Sequence, residues 1–390
     1  MSEGARPKTI VSAEAPQVST EPANRREAAG CSRERLLERL LAAVPEDVGR
    51  FERLCGEVED WEKLFAEARE QGVAGVIWYH LAQPGVAVAP ELKKQAGRYL
   101  AVERLGRTKL RAALDEAVQA LEAAGIRAVA LKGIALGDRV YPAPGLRPTS
   151  DTDLLVTPTE LDRAVAVLES IGYESETGPL ARYYRENHHH LHLSRADTPP
   201  LELHFRATTG FGTIIPADDL LARASPYRMA TGTMAWVLSP EDEFLYLAVH
   251  AARHLFQALV WLYDLKLMLL RYPDLDWAAV SARARSLGVA GALSVTFEAL
   301  HRVVTAAVPQ RGDFVAPHRI LVRLVWPVIA IAAHQPSEST RKKAGEILYR
   351  ALLCDHPVSS VWSFRHRLLR FARRRAQRYL PGVTPKAWAR

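Results

Sequence analysis

The sequence predicts an α+β protein: a small mixed β-sheet core flanked by an N-terminal and a C-terminal helical region. Three observations predict it. Apolar positions recur at helical spacing before about residue 125 and again after about residue 240. Between them, short apolar runs such as "IRAVALKG" and "DTDLLV" are separated by Gly, Pro and Asp clusters. Two further runs there, "HHHLHL" and "LELHFRA", alternate in the manner of half-buried strands. With 390 residues and 48% hydrophobic content, the chain can bury a large core divided among two or three units.

In chain order, residues 1–30 form a polar leader that lacks the apolar stretch of a signal peptide and is expected to be disordered. Residues 31–125 form the N-terminal helical region. "SRERLLERLLAAV" opens on Ser32 as N-cap, "DWEKLFAEAREQGVAGVIWYHLAQ" continues the pattern, and a longer helix runs from about Pro90 to a C-terminal cap at Gly125. The core spans 126–238. It comprises a buried strand in "IRAVALKG", a short helix "IALGDRVY" opening after Gly133, and a strand "DTDLLV". A helix entered through Thr159 follows, then two strands around the turn-rich "SRADTPP". Residues 239–360 return to helix, beginning with a capping-box arrangement of Ser239 and Asp242. Residues 361–390 are a basic tail.

The formal charge of +7 belongs to that tail. It holds nine Lys and Arg and no acid, so setting it aside takes the charge from +7 to −2. A broad phosphate-tracking surface is therefore not expected on the remainder. The tail itself reads either as a solvated or packed basic helix or as a contact for nucleic acid or an anionic surface. The longest apolar stretch, Leu324 to Ala333, spans ten residues and contains Pro327. That is about half of what a membrane span needs, so no transmembrane segment is expected and the cytoplasm is the expected location. Cys31, Cys55 and Cys354 are few and scattered, and are read as free thiols.

The chemistry concentrates in "LKGIALGDRVYPAPGLRPTSDTDLLV". Residues two apart on a strand project to one face, roughly 6.5 to 7 Å apart, so Asp151 and Asp153 are expected to converge. Their mutual repulsion is what a cation relieves. Hard oxygen ligands that close suit Mg2+ or Mn2+, and paired ions of this kind clamp the attacking and leaving oxygens of phosphoryl transfer. Glu202 in "PPLELHFR" faces away from Leu201 and Leu203 and is the candidate third carboxylate. Lys132 and Gly133 stand where a strand gives way to a helix. There unpaired N–H groups, a permissive backbone and a full positive charge make an anion cradle, though not a Walker A loop.

Strand, Gly-containing turn, short helix, Asp-x-Asp strand and a later acidic strand together resemble the DNA polymerase β-like nucleotidyltransferase superfamily. The wording "LKG…YP…LRPTSDTDLLV…LELHFR…H…WLYD" resembles bacterial nucleotidyltransferase family 5 over roughly residues 90 to 270. The superfamily carries Gly-Ser at the phosphate turn, where this chain has Lys132-Gly133. The resemblance implies that Asp151 and Asp153 bind two Mg2+ or Mn2+ ions. It further implies that Glu202 binds the catalytic ion and helps deprotonate the acceptor hydroxyl. Lys132 and Gly133 would hold the β and γ phosphates of an NTP, with Arg147, four residues before Asp151, reaching the same phosphates. An NMP group would then pass to a small molecule, peptide, protein or RNA, with release of pyrophosphate. Two readings stand beside this one: a catalytically silent nucleotide-binding or scaffold protein of the same fold, and a nucleic-acid-binding protein acting through the tail.

The histidines give a weaker pattern. Alternation puts His188, His190 and His192 on one strand face, but ligands drawn from a single strand suit a tetrahedral ion poorly. We therefore read His190 and His192, together with His204 and Arg206, as a polar face lining the substrate cleft beside Glu202. His250 and His254 have metal-competent helical spacing but lack the Glu of a His-Glu-x-x-His motif, so packing against the core is expected. Asp264, a charge in the apolar helix "WLYDLK", is either a partnered structural acid or a substrate contact.

Overall fold

The computed structural model describes residues 36–211, 213–306, 349, 350, 353 and 355. The leader and the basic tail lie outside the described residues, as do Ser32, Cys31 and Cys354. Four short helices begin the described chain: α1 (Leu36–Ala43), α2 (Val48–Cys55), α3 (Trp61–Glu70) and α4 (Ala74–Leu81). Asp47 and Asp60 cap α2 and α3, accepting from the backbone N–H of Arg50 and Lys63. The pattern expected to run on through residue 83 breaks at Gly72, whose φ of +71° belongs to the left-handed region. Cys55 is a free, buried thiol, pushed up to about 12 by burial and the nearby Glu52.

A 34-residue helix, α5 (Pro90–Ala123), spans about 51 Å and joins two cores. Its start packs Leu92 and Ala96 among α1 to α4. Its second half packs Leu110, Leu114, Ala117, Val118 and Leu121 against the sheet. It ends as expected of a Gly-terminated helix: Gly125 is left-handed, and Ile126 N–H reaches back to the Leu121 carbonyl at 2.9 Å.

The sheet contains β1 (Val129–Ala130), β2 (Thr152–Leu155), β3 (Glu174–Ser175), β4 (His190–Arg195), β5 (Thr198–His204), β8 (Ser225–Arg228) and β9 (Met234–Val237). Their order is β3-β4-β5-β2-β1-β9-β8, with β2 parallel to β5, β1 parallel to β9 and the other pairs antiparallel. The sheet is thus mixed, and the fold is α+β as expected.

Strand alternation divides its two faces. Leu154, Leu191, Leu193, Leu201 and Leu203 bury one face beneath α5 and α7 (Leu161–Ser170), each side chain contributing roughly 1.5 to 3 kcal/mol. The polar members of the same strands occupy the opposite face. Thr159, the expected N-cap of α7, instead lies inside a 3-10 turn at Pro158–Glu160 that leads into that helix. Not expected from the sequence are α8 (Gly178–Asn187), the separate hairpin of β6 (Arg206–Gly210) and β7 (Thr213–Pro216), and α9 (Ala217–Arg223).

Between β1 and β2 lies α6 (Gly133–Val140). After the sheet come α10 (Pro240–Arg253), α11 (Leu259–Arg271), α12 (Trp277–Ser286) and α13 (Ala290–Val303). Ser239 caps α10 by accepting from Asp242 N–H, as the capping box predicted. No described helix is long and apolar enough to cross a membrane.

Candidate active site

Strand pairing builds the centre of the site. In the parallel β2–β5 register Asp153 stands directly opposite Glu202, and in the antiparallel β4–β5 register His192 faces Glu202 while His190 faces His204. All five side chains share the face opposite the leucine core. His204 binds two of them together, with Nε2 3.0 Å from Asp153 Oδ1 and 3.4 Å from Glu202 Oε2. One oxygen each from Asp153 and Glu202 and one nitrogen of His204 lie within 4.8 Å of one another.

Asp151 takes a different position from the one expected. It sits at a bend just before β2 rather than in the strand, with Thr149 Oγ1 donating to it at 3.2 Å. The pair is therefore not a simple strand i, i+2 couple, and Asp151 lies outside the tight Asp153–Glu202–His204 group. Its carboxyl still feels both other acids. Burial first, and then the charge of Asp153, raise its pKa above the ordinary carboxylate range.

Asp153 behaves in the opposite way. Burial works against its charge, but Lys132 and His204 overcome that and hold the carboxyl well below its usual range. Lys132 Nζ lies 3.0 Å from Asp153 Oδ1, so the lysine pairs with this acid. Asp138, on α6, is paired with Arg111. Burial alone would depress the Lys132 ammonium, yet Asp153 and Asp151 more than offset it and keep it charged. For His204 burial is likewise outweighed by its hydrogen bonds to Asp153 and Glu202, which raise its pKa. Burial opposes the charge of Glu202 too, and the His204 hydrogen bond lowers its pKa nonetheless.

Lys132 lies two residues beyond β1, at the N-cap position of α6. Its φ of +29° is strained for a residue with a Cβ, and it leads straight into Gly133 at φ +51°, the first residue of α6. No side chain caps this helix, which leaves its first N–H groups without an intrahelical partner, and Gly133 lines a hollow together with Asp151 and Asp153. A Cβ on Gly133 would come within 3.3 Å of Thr149 Oγ1, so the glycine keeps the turn close to the residue that orients Asp151.

Arg147, expected near the phosphates, pairs with Asp264. Its Nε and Nη2 donate to both oxygens of Asp264, at 2.8 to 3.1 Å, and its Nη1 lies 3.4 Å from the Pro148 carbonyl. The buried guanidinium ties the loop before Asp151 to α11. Asp264 is 0% exposed and also accepts from Tyr141 at 2.7 Å, so in the structure it is a buried, partnered acid. Arg206 is also turned away from the carboxylates, donating to the His188 carbonyl at 2.9 Å. His250 packs its ring against Trp261 and His254, in keeping with a packing role.

Sequence reasoning missed several neighbours of the site. Thr149, two residues before Asp151, had a legible signal in its spacing. Tyr246, buried on α10 and electrostatically coupled to Lys132, Asp153 and Glu202, looked like one more core aromatic. Arg253 donates to His189 and Thr208 at 3.3 Å and feels the charge of Glu202, and nothing in its local sequence marks it.

An uncapped helix start and a cluster of two carboxylates and a histidine thus lie together on one face of a mixed sheet. The chain belongs to the family described as uncharacterised nucleotidyltransferases, whose sequence model matches residues 57–305. It is a transferase of that kind. Among solved structures it is similar to the antibiotic-resistance factor ANT(2'')-Ia, at 14% identity over 45% of this chain and 92% of that one, with a TM-score of 0.34. It is also similar to the lincosamide antibiotic adenylyltransferase LnuA, at 16% identity over 41% and 94%, with a TM-score of 0.29. A third likeness is to an antigenic nucleotidyltransferase-like protein from Paracoccidioides brasiliensis, at 13% identity over 48% and 92%, with a TM-score of 0.29. No curated protein matches the chain.

Proposed function

We propose that the enzyme moves an NMP group from an NTP to a hydroxyl or similar acceptor, releasing pyrophosphate, with Asp151, Asp153 and Glu202 as ligands for divalent metal. The observation that carries this reading is the Asp153–Glu202 register, which sets two carboxylates side by side, with Asp153 Oδ2 buried and without a hydrogen-bond partner. Orphaned buried carboxylate oxygens are costly, and a hard cation satisfies them. The donor set fits Mg2+ or Mn2+, oxygen-rich and partly open to solvent. When bound, such ions supply charge neutralisation on the triphosphate and lower the pKa of a coordinated hydroxyl.

The chain's own residues do the rest. Lys132 and the uncapped start of α6 offer positive charge to the β and γ phosphates. Glu202 is ionised across the neutral range and accepts the acceptor's proton. His204, hydrogen-bonded to both Asp153 and Glu202, fixes their relative orientation, and Thr149 does the same for Asp151. Arg147 and Asp264 hold the loop that carries Asp151. The reading includes a cytoplasmic location. It is tested with a panel of NTPs, Mg2+ or Mn2+ and candidate small-molecule, peptide, protein and RNA acceptors, followed by pyrophosphate release and by mass gain on the acceptor. Pyrophosphate release that tracks a 1:1 mass gain supports the reading. Absence of both with every NTP and acceptor counts against it.

A further inference from the structure

The strand face next to Glu202 carries a second set of ligating atoms that the proposed transfer reaction does not use. His190 and His192 stand two apart on β4, so both rings project to the polar face, and Glu202 on β5 is the cross-strand neighbour of His192. The two ring Nε2 atoms are 3.1 Å apart. At that distance they cannot both carry a proton. Two nitrogens at the zinc–nitrogen bond length of about 2.0 to 2.1 Å from a common tetrahedral ion are themselves roughly 3.3 Å apart, close to what is seen. One nitrogen from each histidine and one oxygen of Glu202 lie within 4.8 Å of one another. A single strand supplies too few ligands for such an ion, and the neighbouring strand supplies the missing one.

The surroundings suit an ion. His190 is held between the rings of His189 and His204, with centroids 4.5 and 5.0 Å away, and its buried Nδ1 makes no hydrogen bond but lies 3.5 Å from Glu202 Oε2. The His192 side chain is 44% exposed and set edge-on to Tyr184, which leaves an entry path and an open coordination position. Two imidazoles and one carboxylate with an open position form a donor set that borderline divalent ions take and that Mg2+ does not favour.

We propose that His190, His192 and Glu202 form a binding site for a divalent transition-metal ion of the zinc class, distinct in ligand chemistry from the all-carboxylate site. Because Glu202 belongs to both sets, an ion held here withdraws it from the transfer reaction and acts as an inhibitor. That consequence rests on the role proposed above for Glu202, whereas the site itself does not.

The experiment is a Co2+ titration of the chelator-treated full-length protein, followed by visible absorption in the presence of a large excess of Mg2+. The expected result is one equivalent of Co2+ with the ligand-field bands of nitrogen and oxygen coordination. Asp151→Asn should keep the bands while losing nucleotidyl transfer, so the two readings fail separately. The double variant His190→Ala, His192→Ala should lose them. His192→Gln, at a half-exposed position where folding is not at stake, should weaken Co2+ binding at least as much as the roughly 10- to 100-fold that loss of an outer-sphere partner costs. The proposal is overturned if the parent shows no such bands, if they survive removal of both histidines, or if Mg2+ abolishes them.

Discussion

Replacing Lys132 by Met separates the two tasks assigned to this residue. The ammonium sits 3.0 Å from Asp153 Oδ1, with the lysine side chain 16% exposed and the aspartate side chain fully buried. Breaking a buried pair by removing one partner costs about 3 to 5 kcal/mol, because a charge is left uncompensated. His204 remains 3.0 Å from the same oxygen, so the lower end applies and the expected loss is about 3 kcal/mol. Added Mg2+ should restore part of that stability, since a cation on the carboxylates replaces the missing ammonium. Urea unfolding of parent and variant, with and without Mg2+, measures this as a shift in midpoint at constant slope. Calorimetric titration of NTP and NMP measures the second task. Loss of a charge-assisted hydrogen bond should weaken NTP binding by about 1.5 to 3 kcal/mol and NMP binding much less. A stability deficit that Mg2+ leaves untouched would refute the shared-site reasoning. An unchanged NTP to NMP affinity ratio would remove Lys132 from phosphate binding and leave the backbone at Gly133 to do it.

Other perturbations follow from the same geometry. Glu202→Gln should lower kcat at saturating NTP while leaving NTP affinity nearly unchanged; loss of NTP binding with intact turnover would reverse the role given to Glu202. Arg147→Met should cost about 3 to 5 kcal/mol, because Asp264 is left buried with Tyr141 as its remaining donor, and a change confined to NTP affinity would contradict the anchoring role. His80 is 5% exposed, its Nε2 has no hydrogen-bond partner, and burial followed by the charge of Lys266 lowers its pKa to about 4. The unfolded chain therefore binds the extra proton first as pH falls. The stability His80 contributes is complete above about pH 6.5 and declines toward pH 4, by roughly 3 kcal/mol in all. His80→Leu should flatten that part of the stability–pH curve, and an identical acid slope in the variant would show that the imidazole is not the titrating group.

Local signals carried much of this molecule. Ser239 and Gly125 announce helix ends because capping is a matter of a few adjacent residues, and the structure uses both. The alternation of Glu202 with Leu201 and Leu203 told which face it occupies, since strand pleating leaves no choice once the leucines are buried. What stayed illegible is set by pairings across long stretches of chain. Arg147 looked free for phosphate because Asp264 lies 117 residues further on, and no local pattern announces that partner. The same distance effect hid Arg139 against Glu243, and Lys266 capping the carbonyls of Leu41 and Ala42. Asp151 was misplaced by one step: the spacing Asp-x-Asp is right, but the strand begins at Thr152, so pleating does not aim the first carboxylate.

The most direct test of the metal-site account is nucleotidyl transfer by Asp151→Asn, read beside its thermal unfolding. Asp151 is destabilised as an anion by burial and by Asp153, so its ionisation opposes folding at neutral pH, and the neutral amide removes that penalty. The account predicts that pyrophosphate release with NTP and Mg2+ is lost, while the melting temperature of the metal-free protein is equal to or above that of the parent. Transfer at the parental rate would contradict it.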